Sequence, residues 1–257
     1  MELELTDNVA IVTGASRGLG RAIAIQLAGE GMRLVLAARS QAQLEETAAL
    51  CGGPARCLPC DLREPEAPAR LVDFALAQFG ALDLLVNNAG ATQRGDFLRL
   101  DEAAWQDGFA LKFFGAMRCA RAAWPHLAQR RGAIVNIIGI GGRTGSAEFA
   151  IGGAVNAALM NLTKVLADRG VADGVRVNAI NPGSIATDRL TLRIARLAEQ
   201  RGLDPAQAGR QMAAEAGVAR FGDPAEIGAA VAFLASARAG YCQGAILDID
   251  GGQTRTL

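Results

Sequence analysis

The chain has 257 residues, 51% hydrophobic and 20% charged, enough to bury a full core and within the range that α/β folds occupy as one domain. Lys plus Arg equals Asp plus Glu at 26 each, so no global field draws nucleic acid or an anionic membrane, and neither partner is expected. Met1-Glu2-Leu3-Glu4 lacks the basic-then-apolar start of a secretory signal, and no segment has about 18 consecutive apolar residues. With five cysteines, an odd number for a disulfide framework, a cytoplasmic protein with free thiols is expected. Cys57 and Cys60 form a C-x-x-C near Cys51, but Leu58 and Pro59 read as a strand entering Asp61, and no metal site is predicted.

The apolar run 9–12 is followed by Thr13-Gly14-Ala15-Ser16-Arg17-Gly18-Leu19-Gly20, which opens a helical pattern with Leu19, Ile23 and Leu27 on one face. Glycine there permits positive φ and a close backbone approach, while the free N–H groups and dipole at a helix start attract anions. A glycine loop between a buried-type strand and an amphipathic helix meets the context test for a dinucleotide pyrophosphate site. Short apolar runs at 34–37, 84–87, 134–138, 175–180 and 245–249 then alternate with helical stretches. Such alternation predicts a parallel sheet covered on both faces, with right-handed crossovers and a ligand crevice at the carboxyl ends of the strands. After Pro182-Gly183, residues 188–221 are richer in charge and are expected to form a flexible cover over the crevice. Within it Arg189, Arg193 and Arg196 recur at helical spacing, either as a solvated face or as a grip for a carboxylate or phosphate. Asp223, Pro224 and Glu226 then form a cap, first helical position and capping box for a helix over 225–236. No repeat or low-complexity linker interrupts the chain, so residues 1–257 are read as one domain.

Asn87-Asn88-Ala89-Gly90 after one strand, Pro182-Gly183-Ser184-Ile185-Ala186-Thr187 after another, and Asp250-Gly251-Gly252 near the end stand in order with the first glycine loop. Together these resemble the short-chain dehydrogenase/reductase family over nearly the whole chain. The resemblance implies a Rossmann-type, doubly wound, seven-stranded parallel sheet of the α/β class, a nicotinamide cofactor, a small-molecule substrate, and a homodimer or homotetramer. It places cofactor contacts at Gly14, Ser16, Arg17, Gly18, Leu19, Gly20 and Arg39, and at Asp61 and Leu62 near the adenine. Asn88, Ala89 and Gly90 fall on the adenosine ribose side, and Pro182, Gly183, Ile185 and Thr187 toward the nicotinamide, while Asn87 is expected to stitch the central strands together.

NADP(H) is predicted over NAD(H). An acidic residue about 20 positions beyond the glycines normally accepts from a ribose diol. Ala38 holds that position, which removes repulsion toward a 2′-phosphate, and Arg39 and Arg17 offer planar donors to one.

In the family a tyrosine protonates the carbonyl, assisted by a lysine, a serine and an asparagine. The alignment puts Gly152 at the tyrosine, Asn156 at the lysine, Gly139 at the serine and Lys112 at the asparagine. Lysine and asparagine have in effect exchanged places, so Lys112 and Asn156 are the candidate catalytic pair, with Asn156 on the nicotinamide ribose and Lys112 supplying positive charge. The one tyrosine, Tyr241, lies beside the final strand where the family has a structural aromatic. Glu148 is a further candidate acid if desolvated, His126 reads as structural, and Ser146 and Ser184 have no histidine near enough for a hydrolase triad. The glycines at 139, 141, 142, 152 and 153 are expected to leave space for a bulky ligand. Three readings stay open: an NADP(H)-dependent oxidoreductase with a divergent site, a cofactor-binding protein without turnover, and a lyase or isomerase that uses the nucleotide as structure.

Overall fold

The apolar runs form seven parallel strands in the order β3-β2-β1-β4-β5-β6-β7, in a computed structural model that describes residues 2–255. In chain order the elements are β1 (Val9–Thr13), α1 (Gly18–Gly29), β2 (Arg33–Ala38), α2 (Gln41–Cys51), β3 (Ala55–Pro59), α3 (Ala67–Phe79), β4 (Leu84–Asn87), α4 (Glu102–Gly108), α5 (Gly115–Arg130), β5 (Ala133–Ile137), α6 (Ala150–Asp173), β6 (Arg176–Pro182), α7 (Asp188–Arg201), α8 (Pro205–Glu215), α9 (Pro224–Ala235) and β7 (Ile246–Ile249). The winding reverses between β1 and β4, so the loops leaving their carboxyl ends flank the crevice where this architecture binds ligands.

Strand alternation feeds two apolar layers. Ala10, Val12, Leu34, Leu36 and Val86 pack against Ile23 and Leu27 of α1 and Ile227 and Val231 of α9. Ile11, Val35, Leu85 and Ile134 face the other way, onto Leu71 of α3 and Ala123 and Leu127 of α5. Every residue of β1 and β5 is buried, which is why these strands read as continuous apolar runs. Truncating one such leucine or isoleucine to alanine costs about 2 to 5 kcal/mol. Helix α6 is long and apolar enough to cross a membrane by length and composition alone. Its Val155, Leu159, Thr163 and Ala167 are nevertheless buried in the protein, as in a core helix.

The last crossover begins as its sequence predicts. Asp223 accepts from Ala225 N at 2.8 Å and Glu226 returns a bond from Asp223 N at 2.7 Å, with Pro224 in the first turn and Ser236 just past the end. The stretch 188–221 holds two helices, α7 and α8, the second capped by Asp204, which accepts from Gln207 N at 2.9 Å. Arg201 bridges the two helices to Glu215 at 2.6 Å, and Gly222 N donates to Ser184 O at 3.0 Å, closing the segment at its base. Tyr241 is wholly exposed and is no structural aromatic here.

Candidate active site

The glycine loop between β1 and α1 is shaped by contacts that exclude side chains. Gly14 and Gly18 have φ of +65° and +56°, and a Cβ on Gly20 would lie 2.1 Å from Gly14 O and 2.6 Å from Asn88 Nδ2. The Asn88 amide donates to Thr13 O at 2.9 Å and Gly14 O at 3.2 Å, so it braces the loop. Thr13 Oγ1 in turn accepts from Asn88 N and Ala89 N, at 2.9 and 3.0 Å, and donates to Val86 O at 3.1 Å. Two loops from neighbouring strands are thereby locked side by side. The start of α1 carries no acidic residue, Arg17 at its cap is exposed, and a Cβ on Gly18 would come 3.8 Å from Thr187 Cγ2, which places Thr187 on the third side.

Beneath the loops, Asn87 Nδ2 donates to Asn136 Oδ1 at 3.0 Å, and Asn136 Nδ2 to Thr163 Oγ1 at 3.0 Å. This buried chain ties β4 to β5 and α6, the stitching role expected of Asn87. Asp61, placed near the adenine by the resemblance, shares Arg63 with Asp107, which Arg63 grips through two bonds of 2.6 and 3.0 Å. The Arg63 guanidinium holds the Asp107 carboxyl below the usual range, and its own value is raised in return.

Helices α4 and α5 are joined without a break by a π-helical stretch, Phe109–Phe114, whose widened turn carries Lys112. Its amine points into the molecule and donates to Ile138 O at 2.5 Å and to Asn156 Oδ1 at 2.6 Å. Asn156 Nδ2 donates to Gly139 O at 3.3 Å. The lysine stem passes over Gly90, where a Cβ would lie 2.9 Å from Lys112 Cδ, so only glycine leaves it room. Burial first, and then the Arg189 guanidinium, push the Lys112 amine from 10.5 down to about 7. Lys112 and Asn156 therefore meet across 44 residues of sequence. Asn156, however, is 2% exposed with both side-chain groups used internally, so it orients the amine and does not stand open to a ribose.

Part of the glycine-rich region beside this pair is filled. A Cβ on Gly152 would lie 2.1 Å from the Phe149 ring, and one on Gly141 2.8 Å from it. At Gly142 the space belongs to Met160 Sδ and the Ala157 backbone, and Gly139 has a φ of +125° that disfavours any side chain. One ring thus takes the space at Gly152 and Gly141, while a cavity of about 300 Å³ lined by Gly141, Gly142, Phe149, Gly153 and Ala157 stays open beside it. Glu148, beside Phe149, is exposed and is not the desolvated acid it was weighed as. His126 is half-buried on α5, and Cys57 and Cys60 are free half-buried thiols on and beyond β3.

Residues 14–254 match the family model described as enoyl-(acyl carrier protein) reductase. The chain is 34% identical over 249 residues to a 3-oxoacyl-[acyl-carrier-protein] reductase of Staphylococcus aureus, an alignment covering 95% of this chain and 96% of the relative. It is 37% identical over 252 residues to a cis-4-hydroxycyclohexanecarboxylate dehydrogenase of Sinomonas cyclohexanicum, covering 96% and 97%. The L-sorbose reductase of Gluconobacter frateurii, solved with NADPH and L-sorbose, superposes with a TM-score of 0.96 at 33% identity over 100% of both chains. This chain belongs to the short-chain dehydrogenase/reductase family.

Within this short-chain dehydrogenase/reductase, Ser16, Gly18, Leu19, Asn88, Ala89, Gly183 and Thr187 are half-buried around the crevice, whereas the side chains of Leu62, Pro182 and Ile185 are buried. Thr13, Arg63, Arg94 and Phe149 are site residues that pattern reading missed. Thr13 and Arg63 stood within or beside quoted motifs, but Arg94 and Phe149 lie in irregular segments with no periodic signal.

Proposed function

We propose that this chain is an NADP(H)-dependent oxidoreductase for a small-molecule substrate, with an atypical active site in which Lys112, positioned by Asn156, handles the proton. The observation that carries the proposal is an amine near pH 7 fixed by two acceptors beside a loop built to hold a dinucleotide. The glycine cradle, the anion-attracting start of α1 and the Thr187 wall fit such a cofactor. Arg17 and Arg39 are exposed and make no ion pair among the described residues, which supports a 2′-phosphate partner role and preference over NAD(H). Bound there, NADP(H) supplies or takes up the hydride.

The rest falls to the protein. An ammonium has three N–H groups; Ile138 O and Asn156 Oδ1 occupy two, leaving one for a carbonyl oxygen of the substrate. Transfer of that proton meets the alkoxide formed on reduction, and a positioned acid with a value near the working pH contributes a factor of about 10² to 10⁴. In oxidation the neutral amine is the corresponding base. Gly152 and Gly139 present no side chain at the family's tyrosine and serine positions, so Lys112 is the titratable group this arrangement supplies.

A second reading, an NADP(H)-binding protein without turnover, is favoured by the Phe149 ring standing against Gly152. An absorbance screen at the reduced-nicotinamide band across ketones, enoyl thioesters, imines and quinones separates the two. Turnover that falls when Lys112 is replaced supports the first; NADPH binding with no oxidation throughout supports the second. The proposal includes a cytoplasmic homodimer or homotetramer, supported by exposed Val165 and Val171 on α6 and checked by sedimentation.

A further inference from the structure

Around Lys112 the contacts close into a ring. The lysine stem crosses Gly90, and Gly90 O accepts from Arg189 Nη2 at 3.4 Å. Arg193 follows one turn later on α7, on the same face as Arg189. Arg94, whose charge feels those of Arg193 and Arg189, holds its guanidinium 4.2 Å from the centre of the Phe149 ring. Residues 94 and 95 are held there by the backbone, since Gly95 N donates to Glu148 O at 3.1 Å. Phe149 presses on Gly152, one turn before Asn156, and Asn156 returns to Lys112.

This ring is strongly positive in a chain of zero net charge. Arg94, Arg189 and Arg193 make no ion pair among the described residues. Burial first, then Arg193, and also Arg189, lower the Arg94 value, and only Glu148 opposes the shift. Burial and then Arg17 lower that of Arg189. All three arginines are exposed on the rim, where their forked donors are free to meet a two-oxygen acceptor.

We infer that Arg94, Arg189 and Arg193 form a subsite for an oxoanion, a carboxylate or phosphate carried by the substrate next to its reacting carbon. Arg94 is fixed by the Phe149 face and Arg189 by Gly90 O, so the anion would be held on the rim while the reacting group reaches Lys112. The inference rests on the oxidoreductase reading for the reacting group, but the anion subsite can be tested apart from it.

The test is calorimetric titration of malonate, malonamide and inorganic phosphate into the protein, with and without saturating NADPH. Malonate or phosphate is expected to bind saturably, the tighter of the two naming the group, and neutral malonamide to give no heat. Arg94→Gln and Arg193→Gln are each expected to weaken the anion at least tenfold while changing NADPH affinity less than twofold, with unaltered thermal melts. Equal binding of malonate and malonamide, or anion binding unaffected in both variants, overturns the subsite even if NADPH binds. Arginine-dependent anion binding in a protein that does not bind NADPH upholds the subsite and overturns the oxidoreductase reading instead.

Discussion

Replacing Lys112 by methionine tests the buried amine through stability, without any substrate. The side chain keeps its length and loses its charge. With its value lowered from 10.5 to about 7, the folded protein releases a proton that the unfolded chain still holds throughout that interval. Because the unfolded state binds more protons there, stability rises with pH. Below about pH 7 the lysine is charged in both states and its full desolvation penalty is present, about 5 kcal/mol for a shift of this size. Between about pH 7 and 10.5 the penalty fades by about 1.4 kcal/mol per pH unit. Methionine removes it but orphans Asn156 Oδ1 and Ile138 O, at about 1 to 3 kcal/mol each. The diagnostic is therefore the slope of the difference, not its intercept. Every other titrating group is common to both proteins and cancels. Urea denaturation of the two proteins across this range should show wild type gaining on Lys112→Met as pH rises, and parallel curves would refute the buried-amine account.

Asn156→Ala removes an acceptor that favours the charged amine, so the pH profile of turnover should shift to lower pH and stability near neutrality should fall by about 1 to 3 kcal/mol; an unmoved profile means Asn156 does not position Lys112. Gly152→Ala forces its Cβ onto the Phe149 ring and should lower stability by about 1 to 3 kcal/mol, whereas the double variant with Phe149→Ala should lose less than the two single losses added together; thermal melts that simply add would show the ring is not what bars a side chain at 152. Replacing both Arg17 and Arg39 by alanine should weaken NADPH at least tenfold by fluorescence titration and leave NADH within about twofold, and equal losses for both nucleotides would remove the basis for phosphate selection.

The strands and the glycine loop were legible because burial on both faces and positive φ leave local marks: apolar runs at 84–87 and 134–138, and glycines at 14, 18 and 20. The helix at Pro224 was equally plain, since a capping box is a local chemical event. In the segment 188–221 the helical spacing of Arg189, Arg193 and Arg196 marks α7, an amphipathic helix burying Leu190 and Ala198, but charge hides its bounds. The pairing of Lys112 with Asn156 was readable only through the family alignment, as 44 residues separate them. The filled space at Gly152 was not readable at all. Glycine shows that something comes near, but whether it is a ligand or Phe149 is decided by the path of an irregular loop. Arg94 carries no local signal for the same reason, since its place is set by Phe149 in an irregular loop.

Lys112 is proposed to deliver the proton in a reaction driven by NADPH. Single-turnover loss of reduced-nicotinamide absorbance, followed against pH with a carbonyl substrate found in the screen, addresses it directly. The account predicts a wild-type rate that declines as pH rises through about 7 and a Lys112→Gln rate at least about 100-fold lower with that limb gone. A Lys112→Gln enzyme that keeps both the rate and the pH limb would contradict it.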